Sequence, residues 1–175
     1  MREMFMDLLK DPSAETYLPL RSVVMNSETY DPYSDELNQA EELTNEGKLI
    51  EAVETIGQSM PNLLLSPSAH MLIAFNYDQQ GKKDDAEFER FIAIACCKGI
   101  LATGEGTQAA PYQVLRTSDE YDVLMYLGKQ FAGQALVEKE GRYFDKMKCS
   151  DEEELWFEIT ELYSTLSKKM HLDDA

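Results

Sequence analysis

The feature that most constrains the fold is an internal repetition of 34 residues. Two small residues recur at this interval, Gly47 as Gly81 and Ala52 as Ala86. A glycine can end a helix in the left-handed conformation, and a small residue five positions later lets a second, antiparallel helix approach closely. The repetition therefore predicts two helical hairpins, at about 35–60 and 68–97.

This spacing resembles that of the tetratricopeptide repeat (TPR). Tyr77 and Ala93 match its large and small positions, whereas the usual tryptophan is missing and the closing proline is displaced to Pro61 and Pro67. Two such units leave apolar ends that flanking segments must cover. We therefore predict a single domain, 1–175, that comprises N-terminal helices (1–33), two TPR-like hairpins (34–98) and an α+β cap (99–175).

Local signals predict the elements before the repeat. Apolar residues share one helical face from Met1 to Lys10, and Pro12 ends that helix because it disfavours helical dihedral angles at Asp11. A second helix is predicted near Tyr17 to Met25, with Pro19 in its first turn. Ser34 or Asp35 is the predicted cap of the helix that follows.

The segment after Gly99 has a different pattern. We predict a strand at 112–116, a helix opened by a capping box of Thr117 with Glu120 and closed by Gly128, and a β-hairpin around Glu140-Gly141. Residues 155–159 fit either a third strand or the start of the last helix, which runs to about Met170. The predicted class is α+β, with TPR-like helical hairpins followed by a small antiparallel β-sheet and a C-terminal helix.

The chain also resembles an uncharacterised bacterial family, domain of unknown function number 4919, often seen behind an export leader. The matching segments are Asp11-Pro12-Ser13 with Tyr17 and Pro19, Tyr30-Asp31-Pro32-Tyr33, the Gly81 hairpin, Gly104-Glu105-Gly106-Thr107, Glu120-Tyr121-Asp122, Leu127-Gly128, Gln134 with Leu136-Val137, and the aromatic run that ends at Phe157. The chain departs from the family in its acid run, residues 151–154, where relatives have a glycine turn. The resemblance implies a fold and no activity.

Composition narrows the classes of partner and compartment. Acidic residues outnumber basic ones 33 to 16, and a formal charge of −17 repels phosphate backbones and anionic lipids. We therefore expect neither nucleic acid nor membrane as a partner. Three cysteines cannot form a complete disulfide framework, which favours a reducing compartment. As the sequence stands we expect a cytoplasmic protein, or an exported one if a leader has been removed.

A ligand groove is predicted on the first helix of each hairpin, as in TPR proteins. Its candidate residues are Leu37, Glu41, Thr44 and Asn45, then Met71, Phe75, Asp78 and Gln79. This surface is acidic and apolar, so a basic or amphipathic protein or peptide is the expected partner. The alternative is that the remainder of the domain packs over this face.

Three other patterns carry weaker chemical signals. His70 or His171 could pair with Cys96, Cys97 or Cys149 as a nucleophilic pair, but buried cysteines and a surface histidine explain them better. The loop 104–107 lacks the lysine of a phosphate-binding loop. The acid run 151–154 fits a helix N-terminus capped by Ser150 better than a cation loop. We therefore expect no catalytic residue, metal or cofactor.

The last candidate combines Gly104, Gly106 and Thr107 with the acidic segment Glu120-Tyr121-Asp122. These residues suggest a buried hydrogen-bond network under the loop. Three functions stay open: a non-enzymatic interaction or scaffold protein, an immunity-type acidic inhibitor of a basic toxin, and a small enzyme whose site lies between loop 104–107 and helix 118–128.

Overall fold

The computed structural model describes residues 1–173, with side chains to residue 166, and these residues form an α+β fold. The helices are α1 (Arg2–Lys10), α2 (Ala14–Met25), α3 (Glu36–Asn45), α4 (Leu49–Gln58), α5 (Pro67–Gln79), α6 (Lys83–Leu101), α7 (Ser118–Tyr126) and α8 (Thr160–Asp173). The strands are β1 (Tyr112–Gln113), β2 (Phe131–Lys139), β3 (Arg142–Cys149) and β4 (Glu154–Glu158). The side chain of His171 lies outside the described residues.

The two hairpins α3–α4 and α5–α6 have the same turn, 34 residues apart. Gly47 and Gly81 both have φ of 77°, in the left-handed region. The N–H of the next residue reaches back to the helix in each case, from Lys48 to the Leu43 carbonyl and from Lys82 to the Tyr77 carbonyl, at 2.9 Å in both. Ala52 and Ala86 are both 0% exposed, as predicted. The periodicity therefore located both hairpins correctly.

Helix α2 begins earlier than predicted, so Pro19 is not in its first turn. Ser13 and Thr16 form a capping box, in which the Ser13 N–H donates to Thr16 Oγ1 at 3.1 Å. The helix therefore starts at Ala14 and Pro19 falls in its second turn. Pro19 is exposed, so water can solvate the carbonyl group that it leaves without a helical donor.

Two hydrophobic clusters hold these elements together. The smaller cluster lies among α3, α4, α5 and the segment between α4 and α5, and contains Ala40, Ala52, Ile56, Leu63, Ala69 and Ile73. The larger one joins α1, α2, α6, α7 and the sheet through residues such as Leu20, Ile100, Val123, Met147 and Phe157. The flanking segments thus cover the end of the second hairpin, as expected.

The sheet has the order β1-β4-β3-β2, and it is mixed where an antiparallel sheet was predicted. Strands β2, β3 and β4 are antiparallel, whereas β1 pairs with β4 in parallel. The predicted strand 112–116 ends at Gln113 because the chain turns into α7. There the N–H groups of Leu115 and Arg116 donate to Asp119 Oδ2, at 3.0 and 3.1 Å.

The same turn replaces the predicted capping box at the start of α7. Thr117, the residue before the helix, has φ of −67° and ψ of −26°, which is already helical, and its side chain makes no capping hydrogen bond. Asp119 binds the preceding N–H groups instead. The predicted end of the helix is correct, since Gly128 has φ of 69° and its N–H donates to the Met125 carbonyl.

The hairpin predicted at Glu140-Gly141 connects β2 and β3. Both residues have positive φ, 54° and 74°, as a two-residue turn of type I′ requires. The ambiguous segment 155–159 is mostly strand, as β4 covers residues through Glu158, and α8 follows it.

The acid run 151–154 does not begin a helix, so that prediction is wrong. It forms the turn between β3 and β4, which pair with Lys148 opposite Glu154. Glu152 has φ of 69°, and the Glu153 N–H donates to Asp151 Oδ1 at 3.2 Å. Lys129 forms ion pairs with both Asp151 and Glu153. Strand pairing on both sides determines this turn.

Candidate functional site

An apolar groove lies between α5, α6 and α7. Its volume is about 280 Å³, and it is lined by Pro67, Met71, Arg90, Ala93, Ile94, Cys97, Asp122, Met125 and Tyr126. The large apolar side chains of the lining, Met71, Ile94, Met125 and Tyr126, are exposed. Met125 is 66% exposed, which is unusual for an apolar residue of a helix that packs on two others. The groove therefore exposes a continuous apolar surface to solvent.

Among the predicted residues of the second hairpin, Met71 lines this groove. Met71, Phe75 and Asp78 follow one another on the same side of α5, at positions i, i+4 and i+7. Phe75 is exposed next to Met71, and Asp78 forms an ion pair with Arg90 of the groove lining. Gln79 is also exposed. The charges nearest the groove are therefore largely balanced.

The predicted residues of the first hairpin lie elsewhere. Leu37 is half-buried against the smaller cluster and lines a separate depression of about 270 Å³ that includes Arg116. Thr44 points inward, where its hydroxyl donates to the Ala40 carbonyl at 2.8 Å and accepts from Asn76 Nδ2 at 2.8 Å. Glu41 and Asn45 are exposed. Met71 and Leu37 thus line two different depressions.

Two polar groups of the groove wall are fixed by their surroundings. Asp122 accepts hydrogen bonds from the Ser68 N–H at 3.0 Å and the Ser68 hydroxyl at 2.5 Å, which tie α7 to the start of α5. Burial raises the pKa of Asp122, although these bonds oppose the change. Burial also raises the pKa of the Cys97 thiol to about 12. Cys97 is therefore a thiol at neutral pH, which makes it a poor nucleophile.

The residues around α7 that the sequence singled out belong to a cluster of four buried carboxylates: Asp119, Glu120, Asp122 and Asp145. Glu120 is 0% exposed and lies beside Asp145 of β3. Neither Glu120 oxygen makes a hydrogen bond of ordinary geometry with any described residue. Burial, followed by the charges of Asp145 and Asp119, raises the pKa of Glu120 to about 10. Glu120 is therefore a neutral carboxylic acid at pH 7.

Asp119 was not a candidate from the sequence, yet it organises the entry to α7. Besides its two backbone bonds, it lies 3.9 Å from the guanidinium of Arg116. Burial raises the pKa of Asp119 to about 7, and the charge of Arg116 opposes the change. Arg116 also donates to the Asn62 carbonyl at 2.5 Å. These contacts join α7 to the segment between α4 and α5.

The sequence contains a signal for the burial of these carboxyls. Glu120 precedes Val123 by three positions and Leu124 by four, so helical spacing places its carboxyl on the apolar face of α7. Asp145 alternates with Met147 on β3, whose side chain is fully buried. No comparable signal shows that the two carboxyls lie beside each other.

Loop 104–107 covers the β1–β4 end of the sheet. Gly106 accepts from the Trp156 N–H at 2.9 Å, and the Thr107 hydroxyl accepts from the Ala110 N–H at 3.1 Å. Gly104 lies against the backbone of Pro111. Tyr121, which is exposed, contacts Phe131 of β2 at a ring separation of 5.3 Å. The loop and the segment 120–122 therefore have different partners. The loop lies against β4, whereas Tyr121 contacts β2 and Glu120 lies beside Asp145 of β3.

His70 is buried, so the prediction of a surface histidine is wrong. Its Nδ1 lies 2.6 Å from Glu89 Oε2, and its Nε2 lies 3.0 Å from the Leu64 carbonyl oxygen. Both ring nitrogens are therefore engaged away from the cysteines. Cys96, Cys97 and Cys149 are free thiols and are buried, which agrees with their interpretation as small apolar residues.

Neither a membrane-spanning helix nor a cluster suited to a metal ion is found among the described residues. Within residues 1–173, no helix is both long enough and apolar enough to cross a bilayer. The part of the chain with described side chains contains no group of three His, Cys, Asp or Glu residues arranged to hold a metal ion.

No protein-family model, curated protein or solved structure matches this chain. The resemblances to the tetratricopeptide repeat and to domain of unknown function number 4919 therefore stay predictions.

Proposed function

We propose that this chain is a non-enzymatic interaction protein that binds an amphipathic, basic segment of another protein in the groove between α5, α6 and α7. The observation that carries the proposal is the apolar lining of that groove, where Met71, Ile94 and Met125 are all exposed. Large apolar side chains around a concave surface are typical of sites that accept one face of a helix.

Apolar contact and net charge have different roles in this proposal. The Asp78–Arg90 ion pair leaves the immediate surroundings of the groove nearly neutral, so apolar contact supplies most of the binding free energy. The formal charge of −17 acts over a longer range and attracts a basic segment during its approach. A partner helix would place its apolar face on Met71 and Met125 and keep its basic face in solvent.

Synthetic peptides test this proposal with a defined probe. A helical peptide of about 18 residues, with leucines on one face and lysines on the other, should bind the protein in a fluorescence anisotropy titration. A matched leucine-glutamate peptide should not bind, and neither should a scrambled leucine-lysine peptide. Salt should slow the association of the first peptide while a substantial affinity persists, because apolar contact is not screened.

Two variants locate the site. Met125→Gln removes an apolar contact without changing the net charge and should weaken binding of the leucine-lysine peptide by about tenfold, on the order of 1.4 kcal/mol. Val23→Gln makes the same kind of change on the exposed part of α2 and should have no effect. Equal affinities of the two variants would exclude the groove as the site.

The immunity-type inhibitor is a special case of the same proposal, in which the basic partner is a toxin. A toxin-like reading frame next to that of this chain would favour it. The enzyme alternative places a site between loop 104–107 and α7, where substrate would have to reach Glu120. Because Glu120 is fully buried, it has no access to solvent, and a site there would require an opening of α7 away from the sheet.

A further inference from the structure

Strand β2 forms one edge of the sheet, and no other strand among the described residues pairs with its outer side. It is last in the strand order and pairs with β3 alone. It is also the longest strand, nine residues from Phe131 to Lys139, and seven of them are exposed. An edge of this length displays a row of backbone donors and acceptors that can pair with another strand.

The turn determines which backbone groups point outward. A two-residue loop is closed by a hydrogen-bonded pair, here Lys139 with Arg142. Because hydrogen bonding to the neighbour alternates along an antiparallel strand, Val137 and Ala135 also bond toward β3. The N–H and C=O groups of Gln134, Leu136 and Glu138 are therefore the ones directed to the free edge.

This edge has little of the usual protection against pairing over most of its length. Proteins block exposed edges with proline, with charged side chains or with a covering element. From Phe131 to Val137 the strand contains neither proline nor charge, and its one irregularity lies at its start, between Phe131 and Gly133. Leu136, near the middle, is 53% exposed. The edge is therefore suited to accept a strand.

We propose that the free edge of β2 pairs in antiparallel fashion with β2 of a second copy of this chain, so that two sheets join into one across a two-fold axis at Leu136. In this register the two Leu136 side chains meet on one face of the joined sheet, and Ala135 lies opposite Val137 of the second copy on the other. Apolar contact therefore forms on both faces at the axis.

The charges of the strand fit this register. Glu138 lies opposite Gln134 of the second copy, and Lys139 lies opposite Gly133, so no like charges are paired. The remaining electrostatic cost is long-range, because each copy has a formal charge of −17. Salt screens that repulsion, so the dimer should become tighter as the salt concentration rises. Binding of a basic segment in the groove has the opposite salt dependence.

Sedimentation velocity of the full chain tests the pairing. The wild type should show a concentration-dependent dimer whose Kd falls as NaCl is raised from about 50 to 500 mM. Leu136→Lys places a charge on the axis and should raise the Kd at least about tenfold. Ile50→Lys makes the same charge change at a side chain of α4 that is 63% exposed, and should leave the Kd within about twofold.

Cross-linking tests the register. A Leu136→Cys variant should form an intermolecular disulfide under mild oxidation, because paired residues at the axis have Cα atoms about 5.5 Å apart. Gln134→Cys, which would lie opposite Glu138, should cross-link much less. The proposal fails if the wild type stays monomeric at about 1 mM, if Leu136→Lys and Ile50→Lys associate alike, or if Met125→Gln abolishes the dimer. The last result would place the interface in the groove.

Discussion

The helical hairpins and the layer formed by α7 and β3 are stabilised by different kinds of buried group. At the hairpin contacts the buried residues are mostly apolar, and Ala52 and Ala86 let the backbones approach. In the other layer, Asp119, Glu120 and Asp145 are all buried, and the pKa of each is raised chiefly by burial. Such carboxyls fold most readily in their protonated form.

Because of this difference, the stability of the two regions should respond to different changes. Overpacking should disturb the hairpins at any pH, whereas the α7–β3 layer should weaken as its carboxyls lose their protons. The larger hydrophobic cluster and the hydrogen bonds between Ser68 and Asp122 join the two regions, so we expect them to unfold together.

The largest expected effect is on the pH dependence of stability, through Glu120. The folded state keeps a proton that the unfolded state loses above the ordinary glutamate pKa of 4.5, so stability is highest below that pH and falls until about pH 10. One such group contributes a slope of up to about 1.4 kcal/mol per pH unit. Between pH 6 and 8 the wild type should lose about 3 kcal/mol more than Glu120→Gln.

Urea unfolding at pH 6, 7 and 8 measures this slope, and Glu87→Gln on the exposed surface of α6 is the control. The control should retain the pH dependence of the wild type. Parallel profiles for Glu120→Gln and the wild type would show that Glu120 is not a protonated carboxyl in the folded protein.

The second prediction concerns shape in the hairpin region. Ala86 is fully buried where α6 packs on α5, so Ala86→Leu should overpack this contact and cost about 1–3 kcal/mol. Lys82→Ala, at the exposed turn before α6, should change stability by no more than about 0.5 kcal/mol. Thermal unfolding at pH 6 and 8 should give the same difference at both values. A difference that depends on pH would mean that the packing of Ala86 and the protonation of the α7–β3 carboxyls are coupled.

The third prediction compares the two hairpins directly. Gly47 and Gly81 have the same positive φ, and a Cβ at either position would meet open space. Gly47→Ala and Gly81→Ala should therefore cost similar amounts, about 1–2 kcal/mol each, through backbone strain alone. Denaturant midpoints measure the cost. Unequal values would show that the two turns contribute differently to stability despite their equal geometry.

The smallest expected effect is at the polar contact between α3 and α5. Thr44→Val removes the hydroxyl that accepts from Asn76 Nδ2 and should cost about 1 kcal/mol. Thr55→Val is the matched control, because the Thr55 hydroxyl bonds only within α4, to the Glu51 carbonyl. If both variants are equally stable, the Thr44–Asn76 contact does not hold the hairpins together.

Elements with a strong local signal were predicted from the sequence. The spacing from Gly47 to Gly81 located two hairpins, and Glu140-Gly141 located the β2–β3 turn, because positive φ favours glycine and a few other residues at such positions. Errors arose where two local interpretations compete. The acid run 151–154 fits a helix start by composition, but pairing of Lys148 with Glu154 makes it a strand turn.

The candidate site was predicted only in part. The helical spacing of Met71 and Phe75 placed them correctly on one exposed face of α5, since side chains four positions apart share a face. Met125 and Tyr126 of α7 complete the groove, and no spacing in the sequence connects them to Met71. Thr44 was expected at the surface but contacts Asn76, because the packing of α3 on α5 turns it inward.

The sequence by itself determined the α+β class, the two helical hairpins and the β2–β3 hairpin, because each depends on periodicity or on the φ angle of one glycine. Only the tertiary structure decided that β1 joins the sheet in parallel, that α7 completes the groove and that four buried carboxylates lie in one cluster. These features depend on contacts between distant segments, such as Ser68 with Asp122, 54 residues apart, and Arg21 with Val114, 93 apart. Local patterns specify which face of an element is apolar, but not which element will cover it.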